Sequence, residues 1–367
     1  MRVLVLSNYY REPDVREKYR AAAALGAHLV VATADGTAEV EGGVRYAAVK
    51  TAGKEDQPAD LSWHRTSLKR LFSDERPELV HIEADPESPL AAAGSRIART
   101  LHCPYAVFSW RALRARLGWI AGRRGATVLE HASGVIGGSR AAMDLLVEAA
   151  PAAIATVLPL AGTPAAAHPR SPTGAELVVG FAGRLIPERG ADDLVAALGR
   201  TFGKWRLVIA GTGPEQEALE THIQRLGLAS RVRWLGGLRR ESLTTLWEEI
   251  GCLVVPSRDT PSWVEYHSPI LLEAMGHGIA PIVTRAGCLP DVVGDGGVIV
   301  DDIEGLHQVL QEWVANPAVA HTYGVRARQR VMDRFITSAV ATRTLEFWRA
   351  MLDHAATLHG ASARESA

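Results

Sequence analysis

Residues 262–284 read S-W-V-E-Y-H-S-P-I-L-L-E-A-M-G-H-G-I-A-P-I-V-T, in the order loop, helix, buried strand. That order is the repeating unit of parallel sheets with crossover helices. Two glutamates, Glu265 and Glu273, stand eight positions apart in it. The spacing puts one carboxylate in the loop ahead of the helix and the other about one turn inside. A helix start carries unpaired N–H groups and a partial positive charge that suit phosphate. Carboxylates beside it accept hydrogen bonds from hydroxyls, and the combination suggests a nucleotide sugar. Ile270, Leu271, Leu272, Ala274 and Met275 are apolar. The helix is therefore expected to be largely buried, and a lone acid at Glu273 to need a partner.

Working outward, the same alternation fills the chain. In the first half Arg2–Leu6, Ala27–Thr33, Val44–Val49, Leu79–Ile82, Tyr105–Phe108 and Gly134–Ile136 read as strands. Helices are expected at Val15–Leu25, Leu61–Phe72, Pro86–Leu101 and roughly Ala112–Ala132. A stretch rich in Pro, Ala and small polar residues, A-G-T-P-A-A-A-H-P-R-S-P-T-G-A at 161–175, is the linker candidate. Alternation restarts at Leu177–Ala182 and runs to Val298–Val300, and the final helical stretches have no strand after them. At 367 residues there is room for two domains, each with its own core. The fold class expected is α/β, with two Rossmann-like domains facing a cleft.

Composition excludes more than it selects. Forty Lys and Arg nearly balance 41 Asp and Glu, so no overall field points to nucleic acid. Local basic clusters leave peripheral contact with anionic lipid open. The apolar start M-R-V-L-V-L is too short for a membrane span and reads as a first strand. Cys103, Cys252 and Cys288 lack metal spacing and read as buried thiols. A cytoplasmic protein is expected. No P-loop, G-x-S-x-G, H-E-x-x-H or C-x-x-C is present, so hydrolase triads and zinc chemistry have no support.

In open parallel sheets ligands bind outside the carboxyl ends of strands, so motifs that follow strands matter most. V-V-G-F-A-G-R-L-I-P-E-R-G at 178–190 places Arg184 and Arg189 after one, and paired guanidiniums suit a diphosphate. Two solvated arginines on a βα loop would read the same. Gly211 and Gly213 in V-I-A-G-T-G-P, and Gly236 in V-R-W-L-G-G, let the backbone approach a nucleotide, or simply make tight turns. On the first half, S-N-Y-Y-R-E and F-S-W-R-A-L also follow strands. Asn8, Tyr9, Arg11, Trp110 and Arg111 would offer aromatic faces and polar donors to a polar acceptor, or pack between domains.

In combination and order these pieces resemble the retaining GT-B glycosyltransferases of family four. The resemblance rests on G-R-L-x-x-x-R-G at 183–190, I-A-G-T-G-P at 209–214, V-V-P-S at 254–257, the W-V-E…L-L-E-A-M-G stretch and L-P-D-V-V-G-D-G-G at 289–297. In the first half it is carried only by V-R-E-K-Y at 15–19 and G-V-I-G-G-S at 134–139. It implies an acceptor domain over 1–160, a donor domain over 175–338, and a last helix (about 339–357) crossing back to the first domain. It further implies transfer from a nucleoside-diphosphate sugar, with no cofactor or metal. Arg184 and Arg189 would hold the diphosphate and Glu265 the sugar hydroxyls, these three being the catalytic set. Glu273 would take the ribose, with Gly183, Gly211, Gly213, Gly236, His267, Ser268 and Ile270 completing the donor site. The acceptor, whether glycan, lipid-linked sugar or small molecule, and the base, whether of UDP, GDP or ADP, stay open.

Three departures from the family pattern stand out. Arg189 occupies a usual lysine position, Tyr266-His267-Ser268-Pro269 replaces small residues, and Ser109-Trp110-Arg111 stands where many relatives have a histidine. A GT-B epimerase or phosphorylase, or a non-catalytic nucleotide-sugar-binding protein, are the alternatives.

Overall fold

A computed structural model describes residues 1–8, 16–34, 38–52, 61–112, 118–164, 176–237, 239–266 and 268–365. The chain divides into two compact units, Met1–Gly162 with Thr337–Ala367, and Thr163–Ile336.

The first unit holds β1 (Arg2–Ser7), β2 (His28–Ala34), β3 (Glu39–Glu41), β4 (Val44–Val49), β7 (Leu79–Glu83), β8 (Tyr105–Ser109), β9 (Gly134–Gly137) and β10 (Ile154–Val157), ordered β10-β9-β8-β7-β1-β2-β4-β3. Only β3 runs antiparallel to its neighbour. Valines and leucines of β1 are buried on both faces because helices cover both. Those helices are α1 (Glu17–Ala24), α2 (Arg65–Glu75), α3 (Pro89–Thr100), α4 (Trp119–Glu130) and α5 (Arg140–Ala149).

Helix boundaries differ from the sequence expectation for local reasons. The helix expected over 61–72 starts only at Arg65, because β6 (Ser62–Trp63) pairs with β5 (Thr51–Ala52). Trp63 is buried, and its indole donates to Asn8 Oδ1 at 3.0 Å, which holds that segment extended. The helix expected from Pro86 starts at Pro89, where the Ser88 hydroxyl accepts from Ala91 N at 3.1 Å and proline takes the first position. The helical stretch expected from Ala112 starts at Trp119, residues 113–117 lying outside those described.

The second unit contains β11 (Leu177–Ala182), β12 (Trp205–Ala210), β13 (Val232–Gly236), β14 (Cys252–Val255), β15 (Ala280–Thr284) and β16 (Val298–Val300). They form a wholly parallel sheet, β13-β12-β11-β14-β15-β16. The order reverses direction between β11 and β14, and this switch point opens a crevice at the strands' carboxyl ends. Helices α6 (Ala191–Gly199), α7 (Gln216–Arg225), α8 (Arg240–Glu249), α9 (Pro269–Gly276), α10 (Leu289–Val293), α11 (Ile303–Ala315) and α12 (Pro317–Arg334) accompany it.

The strandless last helix, α13 (Thr337–Glu365), belongs to the first unit. Trp348 anchors it: fully buried, stacked on Tyr19 at 6.4 Å, its indole donates to His81 Nδ1 at 2.9 Å. Removing such a ring from a core usually costs about 3–5 kcal/mol. Burial, with Lys18 nearby, keeps His81 well below the ordinary histidine range, so the ring is neutral and accepts at Nδ1. Lys18 is itself buried and bonds Glu83 Oε1 at 3.2 Å, the carboxylate that Tyr19 OH also reaches. Cys252 and Cys288 are buried, Cys103 is half-buried, and none of the three forms a disulfide among the described residues, burial pushing Cys103 up to about 11.

Candidate functional site

Three loops meet at the carboxyl ends of β11, β12 and β13. Gly183 N donates to Ala210 O at 3.0 Å, and Gly211 N donates to Gly236 O at 2.6 Å. Gly211 has φ +152°, and a Cβ there would drive into the carbonyl oxygen of Gly183. A Cβ at Gly213 would likewise meet Leu185 O. Thus Gly183, Gly211, Gly213 and Gly236 are brought together; the lack of a side chain is a packing requirement at Gly211 and Gly213, whereas Gly236 has open space and is favoured by its φ of +73°. Gly211→Ala is expected to destabilise the fold by about 2–4 kcal/mol through backbone strain and this clash. Thermal unfolding should show it as a midpoint about 5–10 °C lower, and an unchanged midpoint would refute the close approach.

Arg184 directly follows these turns. It is exposed and makes no ion pair among the described residues. Arg189 is different. It lies in a 3-10 turn (Pro187–Arg189) that ends at Gly190, φ +66°. A Cβ at Gly190 would strike Pro256 O, so glycine lets this turn press against the loop after β14. Arg258 fastens the same junction, its guanidinium reaching Asp193 at 2.7 Å, Asp192 at 2.8 Å and Pro187 O at 3.1 Å.

That pressing delivers Arg189 Nη1 to Glu265 Oε2, where the two form an ion pair. Glu265 is 3% exposed. The Ser257 hydroxyl donates to the same carboxylate oxygen at 3.2 Å. Trp263 flanks the arginine, its ring centroid 5.3 Å from Cζ. Arg189 Nε is buried with no hydrogen-bond partner among the described residues. The Glu265 backbone is held as well, its carbonyl accepting from Cys288 N at 2.6 Å. Burial raises the Glu265 carboxyl above the ordinary carboxylate value, opposed by Arg189 and then Ser257.

The second glutamate stands one turn inside α9, and it has the partner that a lone acid in a largely buried helix was expected to need. Leu271, Leu272, Ala274 and Met275 are buried, but Glu273 is on the exposed face. Its partner is Trp247 of α8, whose indole donates to Glu273 Oε1 at 2.9 Å while stacking near His277. Helix α9 begins at Pro269, which offers no N–H, so Ile270 supplies the first free donor of the turn. Ser268 is buried at the N-cap without a side-chain capping bond. His267 lies outside the described residues.

Among the residues expected on the acceptor side, Tyr9 and Arg11 lie outside the described residues. Asn8 accepts from Trp63. Trp110 packs edge-on to Phe108 at 4.9 Å, and its ring fills the space where Gly138 lacks a Cβ. Arg111 is paired with Asp85 at 3.2 Å and with Glu87, and Ser109 Oγ bonds Asp85 Oδ1 at 2.5 Å. Sequence reading overlooked Trp247, Ser257, Arg258 and Trp263. Ser257 stands in the V-V-P-S stretch and Trp263 directly ahead of V-E, so position after a strand was the available signal for both.

The second unit is a doubly wound α/β sheet with glycine-laced turns, an exposed arginine and an Arg–Glu pair with a buried carboxylate at its switch point, where such sheets bind ligands. Residues 167–330 match the family described as glycosyl transferases group 1, and residues 12–161 match the glycosyl transferase 4-like domain. Both matches are to glycosyl transferases and together they cover most of the chain, whose fold is that of the GT-B glycosyltransferases. Over 192 residues it is 30% identical to alpha-maltose-1-phosphate synthase of Mycolicibacterium smegmatis, covering 47% of each protein. It is 28% identical over 181 residues to the GDP-mannose-dependent alpha-mannosyltransferase of Corynebacterium glutamicum, covering 48% of this chain and 40% of that one. The chain spans about half the length of the curated relatives it matches. In fold it is similar to Anabaena HepE in complex with UDP, with a TM-score of 0.69 at 19% identity, covering 95% of this chain and 100% of the other.

Proposed function

We propose that the chain transfers a sugar from a nucleoside-diphosphate sugar to an acceptor hydroxyl, with retention at the anomeric carbon and without a metal ion. The observation that carries this reading is the contrast between the two arginines at the switch point. Arg184 is exposed and forms no ion pair among the described residues, which suits a diphosphate, whereas Arg189 is committed to Glu265. Arg184 would neutralise the leaving diphosphate, together with the Ile270 N–H at the start of α9. Arg189 and Ser257 both bind Glu265 Oε2, which leaves Oε1 to accept from a donor-sugar hydroxyl. Glu273, with one oxygen on Trp247, would offer the other to the ribose. In the reaction the bond from the anomeric carbon to phosphate breaks and the acceptor oxygen bonds the same face. The acceptor proton passes to the departing phosphate oxygen, so no protein nucleophile is required. Catalysis then rests on positioning and on charge stabilisation. The relatives named for GDP-mannose and crystallised with UDP support a nucleotide-sugar donor and leave the base undecided.

A thermal-shift screen against UDP, GDP, ADP and their sugars is expected to show one base stabilising the protein in proportion to occupancy. Incubating the corresponding labelled sugar donor with and without acceptors then distinguishes transfer from binding or epimerisation. Stabilisation by no nucleotide would refute the donor site. Tight binding with no transfer to any acceptor, in chelator or in added metal, would identify a binding protein instead.

A further inference from the structure

On the first unit, α3 and α4 lie side by side and enclose a shallow groove of about 370 Å³, lined by Arg96, Arg99, Trp119, Ile120, Arg123 and Arg124 among others, none of them acidic. Trp119 is 76% and Ile120 68% exposed, adjacent in sequence at the first turn of α4. Arg96, Arg99 and Arg123 are exposed and form no ion pair among the described residues. The Arg123 guanidinium sits 5.6 Å from the Trp119 ring centroid. Arg124 is tied inward to Glu87 O at 3.1 Å. The acid on α4, Glu130, stands at its far end beside His131. Nothing in the proposed transfer reaction uses these side chains.

We propose that this face docks on the surface of an anionic lipid membrane. The charge on it is of one sign and uncompensated, as a negatively charged leaflet requires. Two large apolar side chains project from among the arginines, and tryptophan is the residue favoured at the headgroup level. A protein partner would meet a centre made of arginines with only two apolar side chains, whereas the cores of protein interfaces are depleted of charge. No helix among the described residues is long and apolar enough to cross a membrane, so the contact is peripheral.

Sedimentation with phosphatidylcholine–phosphatidylglycerol vesicles, set against phosphatidylcholine alone, tests this. The full chain is expected to bind the anionic vesicles and be released by salt. Each arginine near such a surface is worth about fivefold in partitioning, so Arg96→Gln/Arg99→Gln/Arg123→Gln should lower binding about a hundredfold. Trp119→Ser/Ile120→Ser should also release the protein. Both variants should unfold at the wild-type temperature and keep the nucleotide-induced shift, because these side chains are exposed and lie outside the donor site. Equal binding to neutral vesicles, no binding to either, or unaltered binding by both variants would overturn the proposal. So would binding to soluble dextran sulfate without vesicle binding, or a dimer abolished by Trp119→Ser/Ile120→Ser.

Discussion

Alanine at Arg184 is expected to lower kcat/KM for sugar transfer about a hundredfold or more, with little change in stability. A hundredfold corresponds to about 2.7 kcal/mol of transition-state stabilisation. One charge-assisted, forked contact to a leaving diphosphate supplies that much when the site is built around it. Stability should hold because the side chain is exposed and has no ion-pair partner to strand among the described residues. Most of the loss is expected in kcat, since charge on the diphosphate grows as the sugar departs. Lysine at 184 should recover only part of it, keeping the charge but not the planar fork. Steady-state kinetics on the donor found in the nucleotide screen measures both variants. Transfer at near wild-type rate by Arg184→Ala would remove the central support for the proposed chemistry.

Arg189→Ala should behave oppositely, with a loss of about 2–4 kcal/mol in folding stability before any effect on transfer is considered. Its partner Glu265 is 3% exposed and among the described residues would keep the Ser257 hydroxyl alone. The arginine side chain is 27% exposed, which holds the estimate below that for a fully buried pair. The pH dependence carries a definite sign. Burial already raises the Glu265 carboxyl, and loss of Arg189, the main opposing influence, raises it further. The folded state then retains a proton that the unfolded chain has released, so stability falls as pH rises between the unfolded and folded values. The Arg189→Ala deficit should therefore be smaller near about pH 5 than near about pH 8. Adding Glu265→Gln, which removes the stranded charge, should recover most of it. Urea unfolding of the four proteins completes the cycle, and strictly additive losses would show that the pair is not coupled.

The pair also shows where sequence reading stops. Alternating apolar runs and helical stretches made two parallel sheets legible, because a strand buried on both faces must be apolar throughout. Arg184 and Arg189 looked equivalent in G-R-L-I-P-E-R-G. Five residues of separation, a 3-10 turn and one left-handed glycine give them unlike surroundings, one in solvent and one on a buried carboxylate. Glu273 was read as an acid in a buried helix because its neighbours are apolar. An eight-residue helix still has an outer face, and position 273 falls on it, within reach of an indole 26 residues earlier. Arg111 and Trp110 were read as facing an acceptor, or as packing residues, because they follow a strand. Their partners Asp85, Glu87 and Gly138 come from neighbouring βα turns, which no local pattern brings together.

By itself, the sequence determined the fold class, the parallel sheets and the stretch holding Glu265 and Glu273, since these follow from periodicity and the local turn and capping chemistry. Tertiary structure decided which arginine is spoken for, which glutamate is buried, and which arginines of α3 and α4 share one open face. Those outcomes depend on residues tens of positions apart meeting at strand ends and helix flanks. Only the folded chain sets such distances.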